Sequence, residues 1–263
     1  MGAVLIAGVS WLDDVRSLPI SIRLTIHAVS ALMVMVAFGY WQNAAAPVLG
    51  ILPLAVLGLP ITLLWMVGLT NAYNFMDGID GLAASQAVVA GAGWAILGGL
   101  SDQPLISGLG VLMAASSLGF LMHNWPPARI FMGDVGSAFL GFTFAALPVI
   151  AAPTGGRWPV IGALLVWPFV FDTAFTFLRR LRNREPVFAA HRSHLYQRLV
   201  ISGLSHRRVT AIYILLSLLT TVTGVLYFGQ LPFADYLVVG AVVGSGGLLL
   251  IWTQQRERRL TAK

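Results

Sequence analysis

The sequence predicts an all-α, polytopic membrane bundle, with about eight full spans and a partial one at the N-terminus. Three observations carry that expectation. Hydrophobic residues make up 57% of the 263 and charged residues only 10%, with a mean hydropathy of +0.82, which lies outside soluble composition. Apolar runs at roughly 22–42, 50–70, 82–100, 105–122, 137–154, 159–178, 209–229 and 235–254 are each long enough to cross a hydrocarbon core of about 30 Å as helix. Alternating those runs puts every Lys and Arg except Arg157 on or against one side.

Taken in order, the chain begins with MGAVLIAGVSWL, apolar but reaching only about 18 Å as helix at about 1.5 Å per residue. It lacks the basic region and small-residue cleavage site of a signal peptide and reads as the tail of a span whose beginning is absent. The whole chain, 1–263, reads as one transmembrane domain with no room for a separate soluble one. Connections 13–21, 71–81, 123–136, 179–208 and the tail 255–263 share one side, and the basic bias makes it cytoplasmic. A net charge of +6 is explained by this topology and by anionic lipid headgroups, so no nucleic-acid partner is expected. The absence of cysteine excludes disulfides and thiolate metal sites.

The same side collects most of the acids, in four polar stations. The first is WLDDVRSLPISIRL, where Asp13 and Asp14 could hold a metal or take a proton, or form only a solvated turn. The second is NAYNFMDGIDGL. Asn71, Asn74, Asp77 and Asp80 recur every three residues and would form one polar stripe on a continuing helix. Gly78 and Gly81 leave room for a backbone or ligand to come close. Such oxygen-only ligands suit Mg²⁺, though a polar helix end facing water is the plainer alternative.

The third station, HNWPPARIFMGDVGSAFLGF, carries Asn124, Phe131 and Asp134. Asp134 fits the first turn of a helix by its charge alone, and Phe131 could stack on a nucleobase. The fourth, RRLRNREPVFAAHRSHLYQRLVISGLSHRR, carries an arginine series with His191, His194 and Arg198. Guanidinium groups clamp diphosphates well, although basic loops also arise from topology. Asp172 lies inside a span, where an ionisable group needs a partner or a cavity. Arg179 is one candidate partner. His27 reads as packing. No phosphate-binding G-x-x-x-x-G-K-[ST] loop, G-x-G-x-x-G fingerprint or H-E-x-x-H motif occurs, which leaves an ATP-driven pump, a Rossmann enzyme and a zincin unsupported.

Together the stations resemble a known family, the polyprenyl-phosphate N-acetylhexosamine-1-phosphate transferases of the glycosyltransferase family 4 type. It includes the phospho-N-acetylmuramoyl-pentapeptide transferase and the enzymes that initiate O-antigen and teichoic acid assembly. The resemblance rests on Asp13-Asp14, NAYNFMDGIDGLA (71–83), NWPPARIFMGDVGS (124–137) and HRSHLYQRL (191–199), in the family's order along nearly the whole chain. It implies transfer of a sugar 1-phosphate from a UDP-N-acetylamino sugar to undecaprenyl phosphate, releasing UMP, at the cytoplasmic face of a bacterial inner membrane. Mg²⁺ would be the cofactor, with Mn²⁺ able to stand in.

By the same resemblance Asp134 would coordinate the metal, with Asn74 or Asp77 near it and the diphosphate. Asp13, with Asp14 beside it, would orient or deprotonate the acceptor phosphate. Gly78, Asp80 and Phe131 would bind uridine, and His194 and Arg198 phosphate or sugar. Asn71, Asn124 and His191 complete the substrate-binding set, and a homodimer is left open.

Two departures stand out. Many members carry an H-x-H-H run in the last loop, and here it is His194-Leu195-Tyr196-Gln197, which points away from the muramoyl-pentapeptide donor and toward the surface-polysaccharide branch. Members also carry further spans before the aspartate pair, where twelve residues stand here. The rival readings are a secondary transporter or channel, whose site would lie near the bilayer midplane, and a CDP-alcohol phosphatidyltransferase, whose further spaced aspartates are missing after Asp80.

Overall fold

The computed structural model describes residues 1–186 and 191–261. Eleven helices account for most of them: α1 (Gly2–Arg16), α2 (Ile20–Phe38), α3 (Gly58–Phe75), α4 (Leu82–Leu100), α5 (Pro104–Asn124), α6 (Gly133–Ala151), α7 (Trp158–Leu165), α8 (Trp167–Arg182), α9 (Leu195–Ile201), α10 (His206–Phe228) and α11 (Ala234–Thr261). Seven helical stretches are long and apolar enough to cross a membrane, and α7 with α8 makes an eighth if the bent pair is one span. The protein is therefore a multi-pass, all-α membrane protein.

Two boundaries differ from the sequence expectation. The run expected to span from residue 50 starts instead with a β-hairpin, β1 (Asn43–Ala46) and β2 (Gly50–Pro53), and the helix begins only at Gly58. GILPLAVL, before Gly58, is apolar enough to read as the start of a span, but Pro53 cannot donate to a helix ladder. The run 159–178 breaks at Val166, where α7 and α8 meet at 85°. Pro168, in the first turn of α8, supplies no N–H and tolerates the break. The Leu165 carbonyl, buried and freed by the break, accepts from Gln86 Nε2 at 2.8 Å, and Ser217 donates to Gln86 Oε1. Backbone opened within the bilayer is thus satisfied inside the protein, and no polar cavity is needed there.

Helices α4 and α6 are the most enclosed, whereas α2, α5 and α11 turn most of their surface outward. Trp94, Tyr73, Phe144 and Phe169 fill the interior, with Tyr73 and Phe169 rings 5.0 Å apart. Outward apolar residues such as Val36, Leu64, Met122 and Leu215 suit lipid contact.

The helix ends sort into two faces. One gathers the hairpin and the 152–158 and 228–234 connections: Ala45 N–H bonds Gly156 O at 2.8 Å, and the Tyr227 hydroxyl donates to Ala45 O at 2.7 Å. The other gathers the ends near residues 13–20, 75–82, 124–133 and 191–206, and there the acids meet.

Helices α4 and α5 lie closest together. A Cβ at Gly110 would fall on the backbone of Ala95, and on Gly91 O at 2.8 Å, whereas one at Gly108 meets nothing within 4 Å. Gly110→Ala should cost about 1–3 kcal/mol through forced separation of the helices, while Gly108→Ala should be neutral or slightly stabilising. Unfolding curves of both variants in detergent test this, and equal curves would contradict it.

Candidate active site

Helix α1 ends in a tight turn with Ser17 at φ 50°, and Pro19 directly precedes α2. Asp13 closes that turn: its Oδ1 accepts from Leu18 N at 2.6 Å and its Oδ2 from Arg23 Nη1 at 2.8 Å. The same Arg23 nitrogen lies 3.7 Å from Asp134 Oδ2. Asp134 sits in the first turn of α6, behind Gly133, whose φ of +65° favours glycine. Its backbone N–H points to Asp14 Oδ1 at 3.3 Å, so the two acids of the first station embrace the start of α6.

The last turn of α3 supplies the third side. Asn74 Nδ2 donates to Asp134 Oδ1 at 2.9 Å and to Ser137 Oγ at 3.0 Å. Asp77 follows just beyond, because α3 ends at Phe75 rather than continuing. The expected stripe therefore splits: Asn71 and Asn74 are helical, Asp77 and Asp80 lie in the following turn. Burial, and then the negative charge of Asp134, pushes the Asp77 carboxyl up to about 7. The four acids Asp13, Asp14, Asp77 and Asp134 thus form one cluster with the amide of Asn74, and Arg23 is the cation that reaches two of them.

Other candidates are engaged elsewhere. Asn71 donates to Val67 O at 2.7 Å and meets His27 Nδ1 at 3.1 Å, one turn away from Asn74. Asn124, 3% exposed, accepts from Gly81 N at 2.9 Å and donates to Ile130 O at 2.9 Å. Asp80 Oδ2 accepts from Ala128 N at 3.1 Å and lies 3.4 Å from His206 Nδ1. Asn124 and Asp80 therefore fasten the 125–132 loop to the start of α4, where Gly81 adopts φ +78°. On that loop Phe131 stands 79% exposed. Gly78 is small for a packing reason: the Tyr196 hydroxyl occupies the place its Cβ would take.

The fourth station docks through Asp172, which is 0% exposed. Its two oxygens accept from Leu195 N at 2.8 Å, Tyr196 N at 3.1 Å and Tyr213 OH at 2.6 Å, and Oδ1 lies 3.2 Å from His194 Nδ1. Arg179, the partner considered from sequence, donates instead to Ser193 O at 3.3 Å. Tyr196 OH then donates to Phe75 O at 3.0 Å, which ties α9 to the end of α3. His194 packs 6.2 Å from the Phe75 ring and 4.9 Å from the His191 ring. Burial and then the neighbouring His194 and arginines lower His191 to about 4, leaving it neutral at pH 7. Arg198 points away, making a two-pronged pair with Glu257 of α11 at 2.6 and 2.7 Å.

The profile of Glycosyl transferase family 4 matches residues 1–152. The chain is 33% identical over 228 residues to a probable undecaprenyl-phosphate N-acetylglucosaminyl 1-phosphate transferase of Bacillus subtilis, covering 86% of this chain and 64% of the relative. It is 30% identical over 274 residues to a decaprenyl-phosphate N-acetylglucosaminephosphotransferase of Mycobacterium leprae, covering 93% and 68%. A phospho-N-acetylmuramoyl-pentapeptide-transferase of Synechococcus is 34% identical over 190 residues, covering 66% and 50%. The chain belongs to glycosyl transferase family 4. It spans under two thirds of the Bacillus relative's length.

Within this family 4 protein, three contributors to the site escape sequence reading. Arg23 looks like one more topology charge, yet it lies one turn into α2 and faces the acids. Ser137 is one helical turn beyond Gly133 and shares the Asn74 amide. Tyr213 sits mid-pattern in an apolar helix, and its only clue is a polar tip inside a span that also faces Asp172. Removing the buried acceptor should strand four donors, Leu195 N, Tyr196 N and the Tyr213 and Thr176 hydroxyls, so Asp172→Ala is expected to cost about 3–5 kcal/mol and Tyr213→Phe about 1–3 kcal/mol. Denaturant unfolding in detergent measures both, and a negligible cost for Asp172→Ala would remove it as the anchor of α9.

Proposed function

We propose that this protein transfers an N-acetylamino-sugar 1-phosphate from a UDP-sugar to undecaprenyl phosphate at the cytoplasmic face of a bacterial inner membrane, releasing UMP. The observation that carries the reading is the cluster of the acids Asp13, Asp14, Asp77 and Asp134 with Asn74, drawn from three distant segments to one end of an otherwise apolar bundle. Family membership and the relatives' names support a polyprenyl phosphate acceptor and an N-acetylglucosamine donor. The basic bias of the same face supports its cytoplasmic placement. The His194-Leu195-Tyr196-Gln197 run supports a surface-polysaccharide branch, such as O-antigen initiation, over the muramoyl-pentapeptide one.

The donor set suits Mg²⁺. Asp134, Asp77 and Asn74 offer only oxygen ligands once the Asn74 side chain presents its carbonyl. Among the described residues no three His, Asp or Glu side chains are arranged to hold an ion by themselves. Such a partial set fits a cation that keeps waters and substrate phosphates in its shell. Bound there, the ion would neutralise the diphosphate and the acids around it.

The chain's residues then have separate tasks. Arg23 holds Asp13 beside Asp134, so Asp13 can orient the acceptor phosphate or take its proton. A phosphate oxygen of the acceptor attacks the sugar-bearing phosphorus, and the bond from that phosphorus to the bridging oxygen breaks, so UMP leaves with the electron pair. Exposed Phe131 is free to stack on uracil, and Asp80 holds the loop that carries it. His191 would face the phosphate or sugar, while His194, buried against Asp172, and Arg198, through its link to α11, set the position of α9. Positioning and charge neutralisation suffice for a single displacement.

Purified full-length protein with Mg²⁺ should release UMP from UDP-N-acetylglucosamine only when undecaprenyl phosphate is present. Asp134→Asn should lower turnover by about 10²–10³-fold while leaving the fold intact. Retained activity would take Asp134 out of the metal role, and substrate flux without turnover would favour a transporter.

Metal binding should also be pH-dependent. The Asp77 carboxyl sits near 7 without metal, so it must lose a proton to ligate, and its ionised fraction rises about tenfold between pH 6 and pH 8. Calorimetric titration of chelator-treated protein should show tighter Mg²⁺ binding at pH 8 by up to that factor. Asp77→Asn should flatten the dependence, and an unchanged pH profile in that variant would rule Asp77 out.

A further inference from the structure

The face opposite the acids holds a cleft that the transfer reaction does not use. It has a volume of about 340 Å³ and lies between the hairpin, the start of α7 and the junction of α10 with α11. That volume is at the small end of ligand sites. Its walls include Ile51, Trp158, Tyr227 and Phe228, and two opposite charges, Arg157 and Asp235. A neighbouring cleft of about 380 Å³, lined by Tyr40, Trp41, Gln42 and Asn43 among others, has no charged side chain and lacks this feature.

Arg157 is the one basic residue on this face. Its guanidinium lies over the Tyr227 ring, 5.1 Å from the centroid, and Tyr227 is fixed by its hydroxyl bond to Ala45 O. The cation is thereby held in place without a carboxylate. Among the described residues, the ion pairs within 4.0 Å include neither Arg157 nor Asp235. One cleft therefore presents a fixed phosphate-shaped donor fork and a separate acceptor for a cation.

The level of the cleft limits what reaches it. Helix α10 ends at Phe228 and α11 begins at Ala234, so the cleft opens where spans end and lipid headgroups lie. Around it Ile51 is 70% and Phe233 75% exposed, an apolar rim suited to acyl chains rather than water. An anionic headgroup would satisfy Arg157 and be repelled by Asp235. A headgroup carrying both a phosphate and a primary ammonium satisfies both.

We infer that this cleft binds a zwitterionic aminophospholipid, with the phosphodiester on Arg157, the ammonium on Asp235 and the chains along the hairpin rim. The site is independent of the transfer chemistry, so its failure would leave the proposed function untouched. The test uses delipidated full-length protein in detergent, with native mass spectrometry reading bound lipid. Phosphatidylethanolamine should be retained several-fold above phosphatidylglycerol and phosphatidylcholine, the latter because its quaternary ammonium offers no N–H to Asp235. Asp235→Asn should erase the preference over phosphatidylglycerol, and Arg157→Gln should lower retention of phosphatidylethanolamine and phosphatidylcholine together. Asp235→Asn touches no structural contact described above, so it serves where Arg157→Gln loosens the hairpin. Glycerophosphoethanolamine, which lacks acyl chains, should compete poorly. Equal or greater retention of phosphatidylglycerol, an unchanged preference in Asp235→Asn, or full competition by the chainless headgroup would each overturn the inference.

Discussion

Mutual repulsion among carboxylates is the constraint on which this architecture depends. Two unit charges 4 Å apart interact by about 4 kcal/mol at an effective dielectric near 20, and this chain draws four acids together from three segments. What keeps them there is backbone geometry that leaves them little choice. Helices α3 and α6 approach so closely at Gly141 that a Cβ there would lie 2.6 Å from Tyr73 Cβ and 3.0 Å from Leu69 O. That packing sets Asn74 against Asp134, and the turn sealed by Asp13 aims Arg23 back at both. Close helix packing inside the bundle thus sets charge geometry at its rim.

The same logic explains why so many polar side chains around the cluster bond to backbone. Loops at a membrane surface have few apolar contacts of their own, so they are fastened by individual hydrogen bonds. Asn124 and Asp80 fix the 125–132 loop, Asp172 fixes the start of α9, and Arg198 joins α9 to α11. Apart from the Asn124 bond to Ile130, these bonds cross between segments far apart in sequence. A residue in this layer acts on chemistry through position, and its loss would be felt first as disorder of a loop.

Much of this was legible in residue order. The apolar runs mark the spans because lipid exposure demands long stretches of uninterrupted hydrophobicity, and the four stations stand out because acids and amides are rare here. The second strand of the hairpin was not legible: Gly50 to Pro53 runs straight into an apolar stretch, and hydropathy cannot separate a strand at the interface from the start of a span. Nor was the 85° break at Val166, since satisfaction of the Leu165 carbonyl depends on Gln86 from another helix. The reason for Gly78 was invisible for the same cause, because the group that fills its space, the Tyr196 hydroxyl, comes from the far end of the chain. Periodicity suggested one stripe from Asn71 to Asp80. Termination of α3 at Phe75 instead turned Asp77 toward Asp134 and Asp80 toward the loop.

Asp77 shows how stability is set against readiness to bind. A carboxyl whose ordinary value is 3.8 is pushed to about 7 in the fold, so the folded chain holds its proton more tightly than the unfolded chain does. The stability this lends is fully present below about 4 and is lost as pH rises through about 7. At neutral pH the acid cluster is therefore close to the limit of negative charge it can carry unaided, with Arg23 already committed to Asp13. A fold optimised for stability alone would have placed an amide at position 77. The carboxyl at 77 is kept in spite of that, buried and beside a second negative charge.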